Sequence, residues 1–89
     1  MEMTFDPKKD EINKAKHSVS LADAAYLEWD NVLVWVDERK EYGERRQSGL
    51  GLMKGRVYFV AFADRNDERR IISFRKANYR ETKYYESQT

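Results

Sequence analysis

Arginines are the residues of this chain best suited to chemistry, and Arg56 and Arg75 are predicted to share one face of a sheet. A hairpin turn at Asn66-Asp67 would pair the two strands that carry them. Arg75 would then lie opposite Tyr58 and diagonal to Arg56. Neighbouring guanidinium groups repel each other unless an anion lies between them, and phosphate binds guanidinium bidentately. The spacing therefore indicates a phosphate site. Two alternatives stay open: each arginine can pair with a local carboxylate, and a one-residue change of register would place the two on opposite faces.

Glu44 and Arg46 form a second candidate group, because residues two apart on a strand share a face. A carboxylate beside a cation can act as a general base. The alternative is a surface ion pair, worth less than about 1 kcal/mol. Simple hairpin pairing places Glu44 near Ala63, at the far end of the sheet from Arg56. A bulge, for example at Gly49, would be needed to bring the two groups together.

His17 is the single histidine and lies between two predicted helices. It can titrate near neutral pH and so serve as an acid or base, or it can be a packing or capping residue at a helix end. One histidine and scattered carboxylates give no metal-ligand spacing, and the sequence has no phosphate-binding loop or nucleophile motif. We therefore predict no metal and no cofactor.

Positive charge is concentrated near the end of the chain. From Arg69 to Lys83 there are six cations and one anion, which leaves the rest of the chain with a net charge of −4 within an overall +1. Such a local concentration indicates a surface for a polyanion, or simply a solvated strand edge and helix face.

The composition limits the elements that can hold these residues. With 89 residues, of which 37% are charged, we expect one domain over residues 1–89 with a thin core. The absence of cysteine fits a reducing interior, which we take to be the cytoplasm. We expect no signal peptide, because the first residues lack a basic and an apolar region, and no membrane span.

Capping and alternation signals predict an α+β domain. Asp6-Pro7 begins a helix that runs to about Lys16, and a Ser20–Asp23 capping box begins a second that runs to about Glu28. Asn78 caps a final helix. Four strands are predicted at about 32–36, 44–50, 56–63 and 69–76. The short turns make the sheet antiparallel, and we expect the helices to pack on one face.

Segments spread along nearly the whole chain keep the order and spacing of a known family. They are Lys16-His17-Ser18-Val19-Ser20, the charged stretch from Asp37 to Arg46 around Tyr42-Gly43, Gly55-Arg56, and Arg70-Ile71-Ile72-Ser73-Phe74-Arg75-Lys76-Ala77-Asn78 followed by Glu81. In these segments the sequence resembles the BrnT family of type II toxin–antitoxin toxins. One departure is Ser18, where the family usually has glycine.

The resemblance implies a RelE-like fold, a metal-independent endoribonuclease, and neutralisation by a BrnA-type antitoxin in a hetero-oligomer. Operator DNA would be contacted only through the antitoxin. In the implied reaction Arg56 and Arg75 would hold the phosphate, Glu44 would be the base, Arg46 would orient it, and His17 would be a substitute acid. The residues expected to bind RNA are Arg70, Lys76, Arg80, and Tyr58 or Tyr79. A non-catalytic antitoxin-binding corepressor and a general RNA-binding protein stay open as alternatives.

Overall fold

The computed structural model describes residues 1–38 and 43–89 and has the predicted α+β class. Residues 39–42, which include the middle of the charged motif and half of the predicted Tyr42-Gly43 turn, lie outside the described residues. The strands are β1 (Glu2–Thr4), β2 (Leu33–Val36), β3 (Gln47–Met53), β4 (Arg56–Arg65) and β5 (Glu68–Lys76). The helices are α1 (Pro7–His17) and α2 (Tyr79–Ser87), and two short 3-10 helices span Leu21–Tyr26 and Trp29–Asn31.

The sheet has five strands in the described residues, in the order β1-β5-β4-β3-β2, and is mixed. The predicted four-stranded antiparallel sheet is therefore wrong in detail, because β1 pairs parallel to β5. A strand of three residues is too short to show an alternating pattern, so no sequence signal predicts β1. The other three pairings are antiparallel, as predicted.

The helices cover both faces of the sheet, so the prediction that they pack on one face is also wrong. On what we call the α1 face, the first 3-10 helix packs against one set of strand residues: Tyr58, Val60, Phe62, Ile71 and Phe74. On the opposite α2 face, Tyr85 of α2 packs with Leu50, Val57 and Ala77. Successive residues of a strand point to opposite faces, which is how β4 contributes to both clusters.

Helix α1 begins as predicted, with Pro7 at its first turn and Asp6 accepting a hydrogen bond from the Lys8 N–H. It ends at Ser18, whose φ of 61° is left-handed, a conformation that glycine adopts without strain. Helix α1 turns Ile12, one of its few apolar residues, to the surface, where it is 60% exposed. The helix instead buries two polar residues, Asp10 and Asn13.

The Ser20–Asp23 capping box is confirmed, but the segment it begins is a 3-10 helix rather than the predicted α-helix. Leu21, Ala24 and Leu27 are all buried. Their spacing of three residues matches the three-residue turn of a 3-10 helix, so one side of the segment meets the core. The indole N–H of Trp29 then donates to the Ala24 carbonyl, 2.9 Å away.

Strand β3 begins and ends three residues later in the chain than predicted, and Gly49 and Gly51 lie within it. Val32 packs directly over both glycines. A Cβ at Gly51 would lie 2.6 Å from Val32 Cγ2, and one at Gly49 would lie 2.7 Å from Val32 Cγ1. The glycines that weaken the strand prediction therefore permit a close approach of the neighbouring segment.

Candidate active site

Arg56 and Arg75 lie on opposite faces of the sheet, so the predicted arrangement of this pair is wrong. A register shift between Ala61 and Phe62 places Phe59, not Tyr58, opposite Arg75. Arg56 shares the face of Tyr58, whose partner is Lys76. The cause is a local irregularity in the β4–β5 ladder, and no residue type in the hairpin predicts it. Because β5 has one extra residue there, every side chain beyond that point lies on the opposite face from the one predicted.

Arg75 is held on the α2 face by contacts with three residues. Its Nη1 donates to Glu81 Oε1 at 2.8 Å, and its Nη2 donates to Glu81 Oε2 at 3.0 Å. Nη1 also donates to the Lys76 carbonyl at 3.3 Å. The guanidinium carbon lies 4.3 Å from the centre of the Phe59 ring. The guanidinium is thus fixed in position and partly shielded from water before any ligand arrives.

These contacts leave one edge of the Arg75 guanidinium available. An arginine has five N–H donors, and Glu81 with the Lys76 carbonyl occupies both of those on Nη1 and one on Nη2. No acceptor within the described ranges binds Nε or the second Nη2 hydrogen. These two donors form a parallel fork, which is the geometry that binds two oxygens of one phosphate.

Glu81 is placed by the capping box that begins α2. The Asn78 side chain accepts from the Glu81 N–H at 2.8 Å, and Glu81 Oε1 accepts from the Asn78 N–H at 2.9 Å. The same carboxylate therefore caps the helix and binds Arg75. The hydrogen bonds from Arg75 hold the pKa of Glu81 below its ordinary value, against the opposing effect of partial burial. Glu81 consequently stays charged at neutral pH.

His17, the last residue of α1, lies in the electrostatic range of Arg75. Its pKa is lowered from 6.5, first by burial and then by the positive charges of Lys16 and Arg75. A lowered pKa keeps the imidazole neutral at pH 7, and a neutral imidazole can accept a proton. The charge of Arg75 thus acts on a second sequence-predicted residue, His17, from the other end of the chain.

Glu44 lies in a separate cluster at the other end of the α2 face. It forms an ion pair with Arg70 and a longer one with Arg46, whose Nε is 3.4 Å from Glu44 Oε1. Glu44, Ala63 and Arg70 line one cavity of about 340 Å³, so the predicted proximity of Glu44 to Ala63 is confirmed. At about 3.3 Å per residue along β5, Arg70 and Arg75 are about 16 Å apart. The structure does not bring Glu44 to Arg75.

Arg75 borders a cavity of about 290 Å³ between β2 and α2. The lining combines aromatic, polar and acidic residues: Trp35, Val36, Asp37, Glu38, Ser48, Phe59 and Glu81. Among the described lining residues, Arg75 is the single cation, and three carboxylates line the cavity with it. A ligand phosphate would have to approach from the side that those carboxylates leave open.

The remaining predicted RNA-binding residues differ in exposure. Tyr58 is buried and stacks on Phe74, with the ring centres 5.0 Å apart, so its ring face is not available to a base. Tyr79 is 78% exposed at the start of α2, and Lys76 and Arg80 are exposed. Of the two tyrosines considered for base stacking, only Tyr79 is accessible.

Sequence reasoning missed two residues that shape this site. The Asn78 capping signal does not reveal that Glu81 binds Arg75, although their spacing across a strand end and a helix start is a usable signal. Asn13 gave no signal at all, since a polar residue on a surface helix is ordinary.

Within the described residues, no group of histidine, cysteine and carboxylate side chains could hold a metal ion, and no helix is long and apolar enough to cross a membrane.

The fold and the site together define a small α+β domain with an arginine fixed on the α2 face of its sheet and, at the end of α1, a histidine whose lowered pKa is due in part to that arginine's charge. Residues 5–81 match the family described as the ribonuclease toxin BrnT of type II toxin–antitoxin systems. The match covers most of the chain, so the chain belongs to the BrnT family, and the resemblance seen in the sequence is confirmed. Membership makes it a ribonuclease toxin with an antitoxin as its partner. No curated protein matches the chain.

Proposed function

We propose that the chain is a metal-independent endoribonuclease in which Arg75 binds the phosphate that is cut. The observation that carries the proposal is the free Nε–Nη2 edge of a guanidinium already fixed by Glu81 and Phe59. A donor fork that is held in place before the reaction stabilises charge that develops in the transition state without further reorganisation.

The proposed reaction needs no group outside the chain, the RNA and water. The ribose 2′-oxygen attacks the adjacent phosphorus, and the bond from phosphorus to the 5′-oxygen breaks. The products are a 2′,3′-cyclic phosphate and a 5′-hydroxyl. His17, which is neutral at pH 7, takes the proton of the 2′-hydroxyl, and the leaving 5′-oxygen takes a proton from water. Arg75 neutralises the extra negative charge on the phosphoryl oxygens.

This assignment changes the roles expected from the family resemblance. Glu44 is replaced by His17 as the proposed base, because Glu44 is paired with Arg70 and Arg46 at the other end of the face. Arg46 and Arg70 become candidates for binding the neighbouring nucleotides, together with Arg80 and Tyr79 on α2. Arg56 and Lys76, on the α1 face, are candidates for weak contacts to the RNA backbone.

The decisive experiment incubates the purified protein with RNA in EDTA, both free and on translating ribosomes, and maps the cut ends. We expect cyclic phosphate ends from the wild-type chain and none from Arg75→Lys, which keeps the charge but loses the fork. Arg69→Lys is the matched control from the same strand. Cleavage that requires an added divalent ion, or an Arg75→Lys protein as active as the wild type, would overturn the proposal.

A second function is favoured by the charge balance at Arg75. Glu81 already neutralises it, and Glu38 lines the same cavity, which weakens attraction for a polyanion. The chain would then be a non-catalytic module that binds the antitoxin and assists repression. In that case pure folded protein leaves RNA intact on and off the ribosome, while adding it still tightens the complex of antitoxin and operator DNA.

In either case we propose a BrnA-type antitoxin as the cytoplasmic partner, docked between β2 and α2. An apolar groove of about 510 Å³ lies there, and it shares Trp35 and Glu81 with the cavity of Arg75. Trp35 is 42% exposed beside this groove. Trp35→Ala should weaken antitoxin binding at least about tenfold, as loss of an aromatic anchor does. Tyr26→Ala, equally aromatic and 70% exposed elsewhere, should not.

A further inference from the structure

The outer edge of β5 is completed by a side chain instead of a strand. Strand β1 pairs with β5 only as far as Arg70, so it does not reach the stretch that holds Arg75. At Phe74 the Asn13 side chain takes over. Its Oδ1 accepts from the Phe74 N–H at 3.3 Å, and its Nδ2 donates to the Phe74 carbonyl at 2.8 Å. A carboxamide offers the same donor and acceptor as a peptide unit, so Asn13 continues the hydrogen bonding that β1 begins.

All the hydrogen-bond donors of the Asn13 carboxamide, and its acceptor oxygen, are in use. Its second Nδ2 hydrogen is donated to the Val19 carbonyl at 2.9 Å, and the residue is 6% exposed. One buried side chain thus joins α1, the segment after it and β5. A buried amide with its donors and acceptor in use is costly to alter, because each lost bond leaves a polar group unpaired.

The two groups of the proposed reaction each adjoin this contact. Arg75 directly follows Phe74 in β5, and His17 lies four residues after Asn13, on the same side of α1. Fixing Asn13 to Phe74 therefore fixes where the end of α1 lies relative to Arg75. We infer that Asn13 is a positioning residue of the ribonuclease site, which holds His17 at its working distance from Arg75. The inference rests on the proposed function and concerns how that site is built.

A matched control is available on the same helix. Asp10 is also buried, and it accepts from the Leu21 N–H at 2.7 Å and from Ser20 Oγ at 3.0 Å. It ties α1 to the first 3-10 helix, and none of its hydrogen bonds among the described residues goes to β5. Asp10→Ala should therefore cost stability much as Asn13→Ala does, without releasing the edge of β5.

The test compares Asn13→Ala with Asp10→Ala at a temperature where both are folded, with Asn13→Ser as a milder variant if Asn13→Ala does not fold. The first readout is hydrogen exchange of the Phe74 amide. It should speed up at least about tenfold in the Asn13 variants and much less in Asp10→Ala. The second readout is the NMR titration of His17. The charged groups that face it are Lys16 on its own helix and Arg75 with its partner Glu81. Its pKa should rise towards 6.5 in the Asn13 variants only.

The third readout is RNA cleavage. We expect kcat to fall at least about tenfold in Asn13→Ala with KM changed less than about threefold, and Asp10→Ala to stay within about twofold of the wild type. Unchanged Phe74 exchange, or equal losses of kcat in the Asn13 and Asp10 variants, would overturn the inference. If wild-type protein leaves RNA intact, it is the proposed ribonuclease site that fails, and the exchange and titration readouts still decide whether Asn13 positions His17.

Discussion

Arg69 and Arg75 lie on the same strand, and each binds a carboxylate bidentately and stacks on an aromatic ring. They differ in which edge of the guanidinium remains available for a ligand. Arg69 turns its Nε–Nη2 edge to Asp64, with both bonds at 2.8 Å. Its guanidinium carbon lies 4.5 Å from the Trp29 ring and 4.4 Å from the Phe62 ring. Its binding fork is occupied and its environment is rich in aromatic contacts. Arg69 is therefore a structural tie on the α1 face.

Arg75 turns its other edge to its partner. Glu81 takes the Nη1–Nη2 end, and among the described rings only that of Phe59 lies within cation–π distance. The Nε–Nη2 edge, which binds Asp64 in Arg69, therefore binds no acceptor of the described residues in Arg75. The difference teaches that charge, burial and ion pairing do not by themselves separate a binding arginine from a structural one. The edge that remains available does so.

The largest effect should come from replacing each arginine and measuring cleavage. Arg75→Ala is expected to lower the cleavage rate at least about 100-fold, the scale seen when a group that stabilises developing charge is removed. Growth arrest on expression should disappear with it. Arg69→Ala should cleave within about threefold of the wild type when it is folded. Two variants with equal rates would remove the distinction between the arginines.

Stability should show the reverse ranking, with a smaller effect. Arg69→Ala is expected to lower the free energy of unfolding by about 2 kcal/mol, since it loses two ring contacts and a bidentate pair. For a domain of this size that is a fall of about 10 °C in Tm. Arg75→Ala should cost about half as much, because one ring contact and a partly exposed pair are lost. Thermal unfolding followed by circular dichroism measures both, and a greater loss for Arg75→Ala would reverse the assignment.

Acid should affect the Arg75 pair through Glu81. The pKa of Glu81 in the folded chain lies below its ordinary 4.5, so the pair stabilises the fold above that pH. The stabilisation is lost as the pH falls through the lowered pKa, because the unfolded chain takes up the proton first. We expect a contribution under about 1 kcal/mol, since the pair is partly solvated. Urea unfolding across this range should show a shallower acid dependence in Glu81→Gln. His17, with a pKa lowered from 6.5, acts at higher pH and should be unaffected.

Local signals in the sequence predict most of the helices and strands. The Asp6, Ser20 and Asn78 caps placed the starts of the helical segments correctly, because a cap is decided by residues within one turn. The central strand and its antiparallel neighbours followed from alternation. What failed depended on contacts between distant residues. Strand β1 is stable only as an addition to β5, and Gly49 and Gly51 make sense only beneath Val32.

The site was predictable only in part for the same reason. Arg75, His17 and Glu44 could be chosen by residue type and family motif, but their grouping depends on register. One irregularity between Ala61 and Phe62 decides which face Arg75 occupies, and no local pattern marks it. Asn13 is invisible for a related reason, since its partner Phe74 is 61 residues away in the chain.

The smallest expected effect belongs to Arg56, and it tests whether the choice of face matters. Arg56 is exposed on the α1 face, where its diagonal neighbour is Lys76, and it makes no ion pair within the described ranges. It carries the same charge as Arg75, but no carboxylate or aromatic ring of the described residues holds its guanidinium. Arg56→Ala should therefore lower cleavage by less than about threefold at 0.1 M salt, through weaker RNA binding, and the difference should vanish as salt screens the backbone contact. A loss as large as that of Arg75→Ala, and independent of salt, would mean that both faces act in the reaction, and the comparison of Arg69 with Arg75 would no longer identify the site.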